Sequence, residues 1–93
     1  MEPHELARIF RVLSVDTRIR IIQLLKQRSL CVNALASRLG VTPAAVSQHL
    51  HVLREAGLVR ADKRGYFVHY TINDSKLLEW REITGDLLNC DAE

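Results

Sequence analysis

One side of a short predicted helix between Val41 and Gly57 carries the residues best suited to bind a partner. These side chains recur at helical spacing, are small or hydrogen-bonding, and include no large apolar member. They are Ala44, Ser47, Gln48 and His51. The opposite side is a stripe of Val46, Leu50 and Leu53, which predicts a buried back. Because a helix with a flat donor–acceptor front fits a major groove, this pattern favours DNA reading.

The ends of this helix are marked by their residue types. Thr42 can cap the first free amides, and Pro43 suits the first helical position, where its missing N–H costs nothing. Gly57 supplies the left-handed residue that ends a helix. We expect Thr42 to lie toward base edges with the exposed face. Gln48 is the best candidate for bidentate recognition of adenine.

A second short helix precedes the first over residues 33–39, with Leu35 and Leu39 on its apolar face. Gly40 ends it, and the turn that follows is short. Two short helices joined by a turn that contains glycine are typical of a helix-turn-helix, predicted here over residues 33–56. A plain helical hairpin of another small protein is the alternative.

Two strand-like runs follow over residues 58–72. Apolar and polar side chains alternate in the second run, so Val68 is expected on a buried face and His69 on a solvated one. Gly65 meets the conformational demand of a tight hairpin turn. A hairpin placed directly after a groove-reading helix is predicted to be a wing.

Positive charge is concentrated at the tip of this hairpin and at the end of the reading helix. Lys63 and Arg64 lie beside Tyr66 at the tip, and Arg54 lies near the end of the helix. We expect these three cations to hold phosphates or to enter a minor groove. A solvated polar turn is the alternative for any single residue of the tip.

Four segments of the chain resemble the ArsR family of bacterial and archaeal winged-helix repressors. They are Phe10–Ile22, Ser29–Gly40, Val46–Val59 and Gly65–Tyr70. The resemblance implies a mainly α winged helix-turn-helix with a small β-hairpin (α+β): about five helices and a two-stranded antiparallel hairpin, in one domain over residues 1–93. It also implies a sequence-specific DNA-binding repressor that an unidentified effector releases. Val15-Asp16 departs from the family's usual Asp-Pro, and we expect Ser14 to cap that helix instead.

The first and last helices, within residues 1–13 and 73–93, carry apolar stripes that a domain of this size is not expected to cover alone. The residues predicted to face a second copy are Leu6, Phe10, Leu77, Trp80, Thr84 and Leu87. Either Asn73 or Asp74 can cap the final helix. The resemblance implies a homodimer that sets two reading helices about 34 Å apart on a near-palindromic operator. The alternative is that both stripes close the core of a monomer.

The ligand sets of metal-sensing members of the family are incomplete in this chain. Their Cys-x-Cys pair is represented by Cys31 and Asn33, and the histidines of their last-helix site by Lys76 and Leu87. A single soft ligand cannot form a closed thiolate site. We therefore expect no metal site and no cofactor.

Cys31 and Cys90 are the two cysteines of the chain, and a pair so widely separated does not indicate a disulfide framework. Cys31 falls near the start of a helix, whose dipole favours a thiolate, and Cys90 lies near the C-terminus. A thiol switch that releases DNA is one interpretation. The other is that Cys31 is a small half-buried residue and Cys90 an incidental one.

Length and charge agree with a small DNA-binding domain. The 93 residues are 47% hydrophobic, enough for one small core that benefits from a partner subunit. Residues 1–37 hold six Lys/Arg and three Asp/Glu, residues 38–72 hold five and two, and residues 73–93 hold two and six, which gives the net charge of +2. The basic charge thus lies with the DNA-reading elements, and the acidic last helix is expected to stay off the DNA.

Other classes of function find no support in the sequence. No apolar run nears the roughly 18 residues that span a bilayer, no signal peptide is recognised, and the cysteine usage predicts a reducing cytoplasm. There is no glycine-rich phosphate loop and no nucleophile–base pair, so an enzyme is not expected. The competing class is a winged-helix protein-interaction module, but such modules tend to lose the basic wing that this chain keeps.

Overall fold

A computed structural model describes residues 1–91 of the chain. Its elements are α1 (Pro3–Leu13), α2 (Asp16–Leu25), α3 (Val32–Leu39), α4 (Pro43–Glu55), β1 (Val59–Arg64), β2 (Phe67–Ile72) and α5 (Asp74–Leu88). Five helices and one antiparallel hairpin confirm the predicted mainly α winged helix-turn-helix over this range. No helix among these residues is both long and apolar enough to cross a membrane.

One hydrophobic core lies where α2, α3 and α4 pack against each other and against the start of β1. Ile21 of α2, Leu35 of α3, and Val46 and Leu53 of α4 are fully buried there, as is Leu58 just before β1. Burial of one such side chain contributes roughly 1.5–3 kcal/mol. The apolar stripes that the sequence predicts for α3 and α4 are thus confirmed as core faces.

Both ends of α4 follow the predicted signals. The Thr42 Oγ1 atom accepts a hydrogen bond from the Ala45 amide at 3.1 Å, and Pro43 is the first helical residue. Gly57 follows the other end with a φ of 81°, a conformation that strains residues with a Cβ. Likewise α3 ends at Gly40, whose φ is 70°.

The start of α2 differs from the prediction. Ser14 does not cap this helix; Val15 holds the N-cap position, and no side chain caps the helix there. The Ser14 hydroxyl donates instead to the Arg11 carbonyl at 2.9 Å, because Ser14 has helical backbone angles and closes α1. In the first turn of α2, Asp16 Oδ1 accepts from the Thr17 amide at 2.8 Å.

Asn73 holds the N-cap position of α5, but its side chain does not cap the helix. Its Nδ2 atom donates to the Gly57 carbonyl at 2.9 Å, and its Oδ1 atom accepts from Arg60 at 3.0 Å and from the Ser75 hydroxyl at 2.9 Å. Its backbone amide donates to the Leu58 carbonyl at 2.8 Å. Asn73 therefore joins the end of α4, the base of the hairpin and the start of α5.

The hairpin of β1 and β2 is closed by a tight loop. The strands pair up to Arg64 and Phe67, which leaves Gly65 and Tyr66 as the two loop residues. Gly65 has a φ of 64° and Tyr66 has no positive φ, the combination of a type II′ turn. The predicted role of Gly65 in the turn is confirmed.

The base of the hairpin is anchored, whereas its tip is not. Tyr70 exchanges two backbone hydrogen bonds with Leu30, at 2.9 and 3.2 Å. Tyr70 and Ile72 pack against the core, but Val68 is 36% exposed and His69 is half-buried. The predicted alternation is therefore wrong at Val68 and His69, because the hairpin extends past the edge of the core.

Candidate nucleic-acid interface

The exposed side of α4 carries the residues that the sequence pattern singles out. They are Ala44, Ser47, Gln48 and His51, and Thr42 is exposed just before them. Within residues 1–91 no hydrogen bond engages the side chains of Ser47, Gln48 or His51. The donors and acceptors of this face, which we call the reading face, are therefore available to a partner.

The position of α4 is set by its packing on α3. The Gly40 and Val41 amides both donate to the Ala36 carbonyl, at 2.9 and 3.2 Å, which closes α3 with a tight turn. Leu35 from α3 and Val46 from α4 are completely buried between these helices and the rest of the core. Rotation of α4 would bring Val46 into water, so burial on one side holds the reading face outward on the other.

The cations of the wing lie at the end of β1 rather than in the loop. Alternation along a strand directs Lys63 and Arg64 to opposite faces of the hairpin, and both are exposed. The Arg64 Nε atom donates to Asp62 Oδ2 at 3.0 Å. Asp62 was not predicted from the sequence, although a spacing of two residues on a strand places its side chain and that of Arg64 on one face.

Two aromatic side chains are exposed at the tip of the wing. Tyr66 is fully exposed in the loop, and Phe67 lies directly opposite Arg64 with most of its ring in solvent. From the sequence, Tyr66 is only a neighbour of the charges, and Phe67 has no predicted role. Apolar side chains beside cations are suited to pack against the wall of a nucleic-acid groove.

The predicted dimer residues divide into covered and uncovered ones. Phe10 of α1 is exposed, and Leu87 of α5 is 51% exposed. Leu6 and Leu77 are half-buried and pack against the core. Trp80 is only 6% exposed, so its indole is already covered by the single chain without a second copy.

The apolar stripe of α5 changes character along the helix. Leu77 and Trp80 are covered by the core, and the Thr84 hydroxyl donates to the Trp80 carbonyl at 2.8 Å, one turn back. The second half of the stripe runs past the core and leaves Leu87 and Leu88 exposed. Leu88 follows Trp80 and Thr84 at spacings of eight and four residues, so it belongs to the same stripe of the helix.

The two cysteines are free thiols in different surroundings. Cys31 is half-buried at the N-cap position of α3, where its side chain makes no capping hydrogen bond. Cys90 is exposed beyond the end of α5. In residues 1–91 no group of three or more His, Cys, Asp or Glu side chains is placed to hold a metal ion.

The helix α4 is buried on one side and polar on the other, and a hairpin that carries cations follows it. This arrangement defines a protein of the winged helix-turn-helix class. The sequence profile described as bacterial regulatory protein, arsR family, matches residues 16–61. The chain is 33% identical to the arsenical resistance operon repressor of Escherichia coli, in an alignment that covers 91% of this chain and 74% of that repressor. The chain belongs to the ArsR family.

Solved structures agree with this assignment. A possible transcriptional regulator for arsenical resistance has a TM-score of 0.81 and 35% identity, covering 89% of this chain and 86% of that one. A homodimeric winged helix-turn-helix DNA-binding domain from Mycobacterium bovis has a TM-score of 0.74 and 25% identity, covering 97% and 86%. The chain spans 60% of the length of a cadmium resistance regulatory protein homologue of Staphylococcus aureus, which is 34% identical over 77% of this chain. Family and fold make the chain a winged-helix transcriptional regulator.

Proposed function

We propose that the chain is a sequence-specific repressor that binds double-stranded DNA as a homodimer. The observation that carries this proposal is the reading face of α4, exposed and without internal partners on a helix whose other side is buried. Such a face beside a cationic wing fits a major groove with the wing on the adjoining backbone. In this proposal the protein acts by binding rather than by catalysis, in the cytoplasm beside the DNA that it regulates.

In this proposal the reading face contacts base edges. The Gln48 amide offers one donor and one acceptor, which match N7 and the N6 amino group of adenine. Ser47 and His51 each supply single hydrogen bonds, and the Ala44 methyl suits contact with a thymine methyl. Thr42 caps α4 and is exposed beside the reading face, so we assign it to the same base edges.

Three cations hold the sugar–phosphate backbone around that contact. Arg54 is exposed in the last turn of α4, and Lys63 and Arg64 are exposed near the tip of the wing. Each backbone contact that neutralises a phosphate releases counterions and adds to affinity at low salt. These contacts position the protein, whereas the reading face supplies the sequence preference.

The homodimer forms through the first and last helices. Phe10, Leu87 and Leu88 leave apolar surface exposed on α1 and the end of α5, and a second copy related by a two-fold axis would cover it. The Mycobacterium bovis domain with this fold is homodimeric. Two reading faces about 34 Å apart then match successive major grooves of a near-palindromic operator.

Release by an effector is part of this proposal, and the two free thiols offer one chemistry for it. Cys31 lies at the start of α3, which packs on the reading helix, so modification of its sulfur would disturb the support of α4. Cys90 is exposed and offers a second accessible thiol. We propose thiol modification of Cys31 as the releasing event.

The competing proposal, a winged helix that binds another protein, accounts for less. It leaves unexplained the cations of the wing and the absence of large apolar side chains from the reading face. Titration of a labelled duplex, selected from a random pool, at several salt concentrations discriminates the two. We expect log Kd to change linearly with log salt, by roughly 0.9 per phosphate contact, and a shuffled duplex to bind more weakly. Equal affinity for both duplexes, or no dependence on salt, would overturn the DNA proposal.

A further inference from the structure

An open groove lies between the second half of α2 and the end of α3, on elements other than the reading face and the wing. Its volume is about 570 Å³. Three cations, Arg20, Lys26 and Arg38, and two amides, Gln23 and Gln27, line it over an apolar floor. We call it the α2–α3 groove. Its size falls within the range of small-ligand sites, roughly 300–1,000 Å³.

The cations of this groove lie in a segment of the chain without acidic residues. Residues 17–54 contain six Lys/Arg and no Asp or Glu. Within residues 1–91 the ion pairs involve only Asp62, Glu79 and Glu82 as acids, so none of the three cations of the groove is paired with a carboxylate. Three like charges that line one groove without a paired carboxylate favour an anion there.

The walls of the groove are held by the fold. The Arg20 Nη1 atom donates to the Leu39 carbonyl at 3.4 Å, which links α2 to the end of α3. Leu39 is buried and Leu24 half-buried, so the floor is part of the core. Arg38 approaches from α3 with its side chain exposed. Guanidinium groups from two walls, with the ammonium of Lys26, match the several oxygens of a phosphate.

We propose that the α2–α3 groove is a phosphate-binding site. The phosphate belongs either to a free phosphorylated compound or to the DNA backbone beside the segment that α4 reads. In both cases the guanidinium groups of Arg20 and Arg38 donate to phosphate oxygens and Lys26 adds a point charge. A phosphate from the DNA backbone rests on the proposed function, whereas binding of a free phosphorylated compound does not depend on it.

The first experiment contains no DNA. Inorganic pyrophosphate is titrated calorimetrically into the full chain at constant ionic strength, with Arg38→Gln and Lys26→Gln as test variants. Arg28→Gln is the matched control, since Arg28 is exposed in the same acid-free segment but does not line the groove. A free phosphorylated ligand predicts equal binding by the wild type and Arg28→Gln, and roughly tenfold weaker binding by both test variants, because charge-assisted hydrogen bonds are lost.

The second experiment measures DNA binding by the same four proteins across salt, with a long duplex and with one trimmed to the selected site. If the phosphate belongs to the DNA backbone, we expect no binding of pyrophosphate. The slope of log Kd against log salt should then be smaller by roughly 0.9 for each test variant than for the wild type, and only with the long duplex. The proposal is overturned if both test variants have the same pyrophosphate affinity and the same salt dependence of duplex binding as Arg28→Gln. This holds whether all the proteins bind pyrophosphate or none of them does. Loss of all duplex binding by the wild type would instead contradict the proposed function, and the pyrophosphate titration would still decide the groove.

Discussion

Arg64 and Asp62 form an ion pair on one face of the wing, with Nε and Oδ2 3.0 Å apart and both side chains about half exposed. The guanidinium that the sequence assigns to DNA is therefore held by a carboxylate in the free protein. In the proposed complex a phosphate would compete with this carboxylate, so we expect Asp62 to lower the affinity of the wing for DNA.

We expect Asp62→Asn to tighten DNA binding by roughly two- to tenfold, since exposed pairs contribute about 0–1 kcal/mol and a charge that repels phosphate is also removed. Fluorescence anisotropy of the selected duplex measures the change. Glu79→Gln is the control, because Glu79 is paired with Lys76 on α5 at 3.4 Å. An unchanged or weaker affinity for Asp62→Asn would show that Asp62 does not restrain the wing.

Gln48→Ala is expected to relax sequence preference more than total affinity. Loss of a bidentate contact removes about 1–3 kcal/mol of discrimination at one base pair. Anisotropy with duplexes mutated at each position locates that base pair. Arg54→Gln provides the contrast, since loss of a phosphate contact should weaken all sequences alike. The assignment of Gln48 to a base fails if its variant also loses affinity uniformly.

Leu87→Asp is expected to convert a dimer into a folded monomer. Leu87 is half exposed in the single chain, so the fold tolerates the change, whereas an interface would bury an unpaired carboxylate. Sedimentation velocity gives the oligomeric state, and circular dichroism verifies the helices. Tyr66→Asp on the wing, which also places an acid at an exposed aromatic position, should stay dimeric. A monomeric wild type would refute the dimer itself.

Cys31→Ser is expected to abolish release of DNA by a thiol oxidant. Diamide and glutathione are added to the protein–duplex complex, so that the Cys31 thiol and glutathione lose two hydrogens to diamide and form a mixed disulfide. Anisotropy follows release, and dithiothreitol, which reduces the disulfide, restores binding by the wild type. Cys90→Ser, tested in parallel, shows whether the exposed second thiol takes part. Release from Cys31→Ser at the wild-type concentration of diamide would end the thiol hypothesis.

Local signals explain why α3 and α4 were predicted well. The cap at Thr42, the proline after it and the glycine past the end each act within four residues, so tertiary contacts are not needed to recognise them. Ser14 failed as a cap for a related reason. The sequence offers its hydroxyl to either neighbouring helix, and the backbone angles of the folded chain give it to α1.

The wing shows where alternation stops being informative. Val68, Tyr70 and Ile72 follow the same pattern in sequence, yet only Tyr70 and Ile72 reach the core. A period of two residues identifies a strand and its faces, but it carries no information on how far the sheet extends past the helices beneath it.

By itself the sequence determined the reading helix, its buried back, its polar front and the hairpin behind it, because these depend on residue types a few positions apart. Tertiary structure alone decided which apolar residues of α5 are covered: Trp80 lies over the core and Leu87 beyond it, although both belong to one stripe. Tertiary structure also decided that Arg20 donates a hydrogen bond to the Leu39 carbonyl at the end of α3, and this contact helps to form the α2–α3 groove. Contacts between elements distant in the chain depend on how helices pack, and no local pattern encodes that geometry.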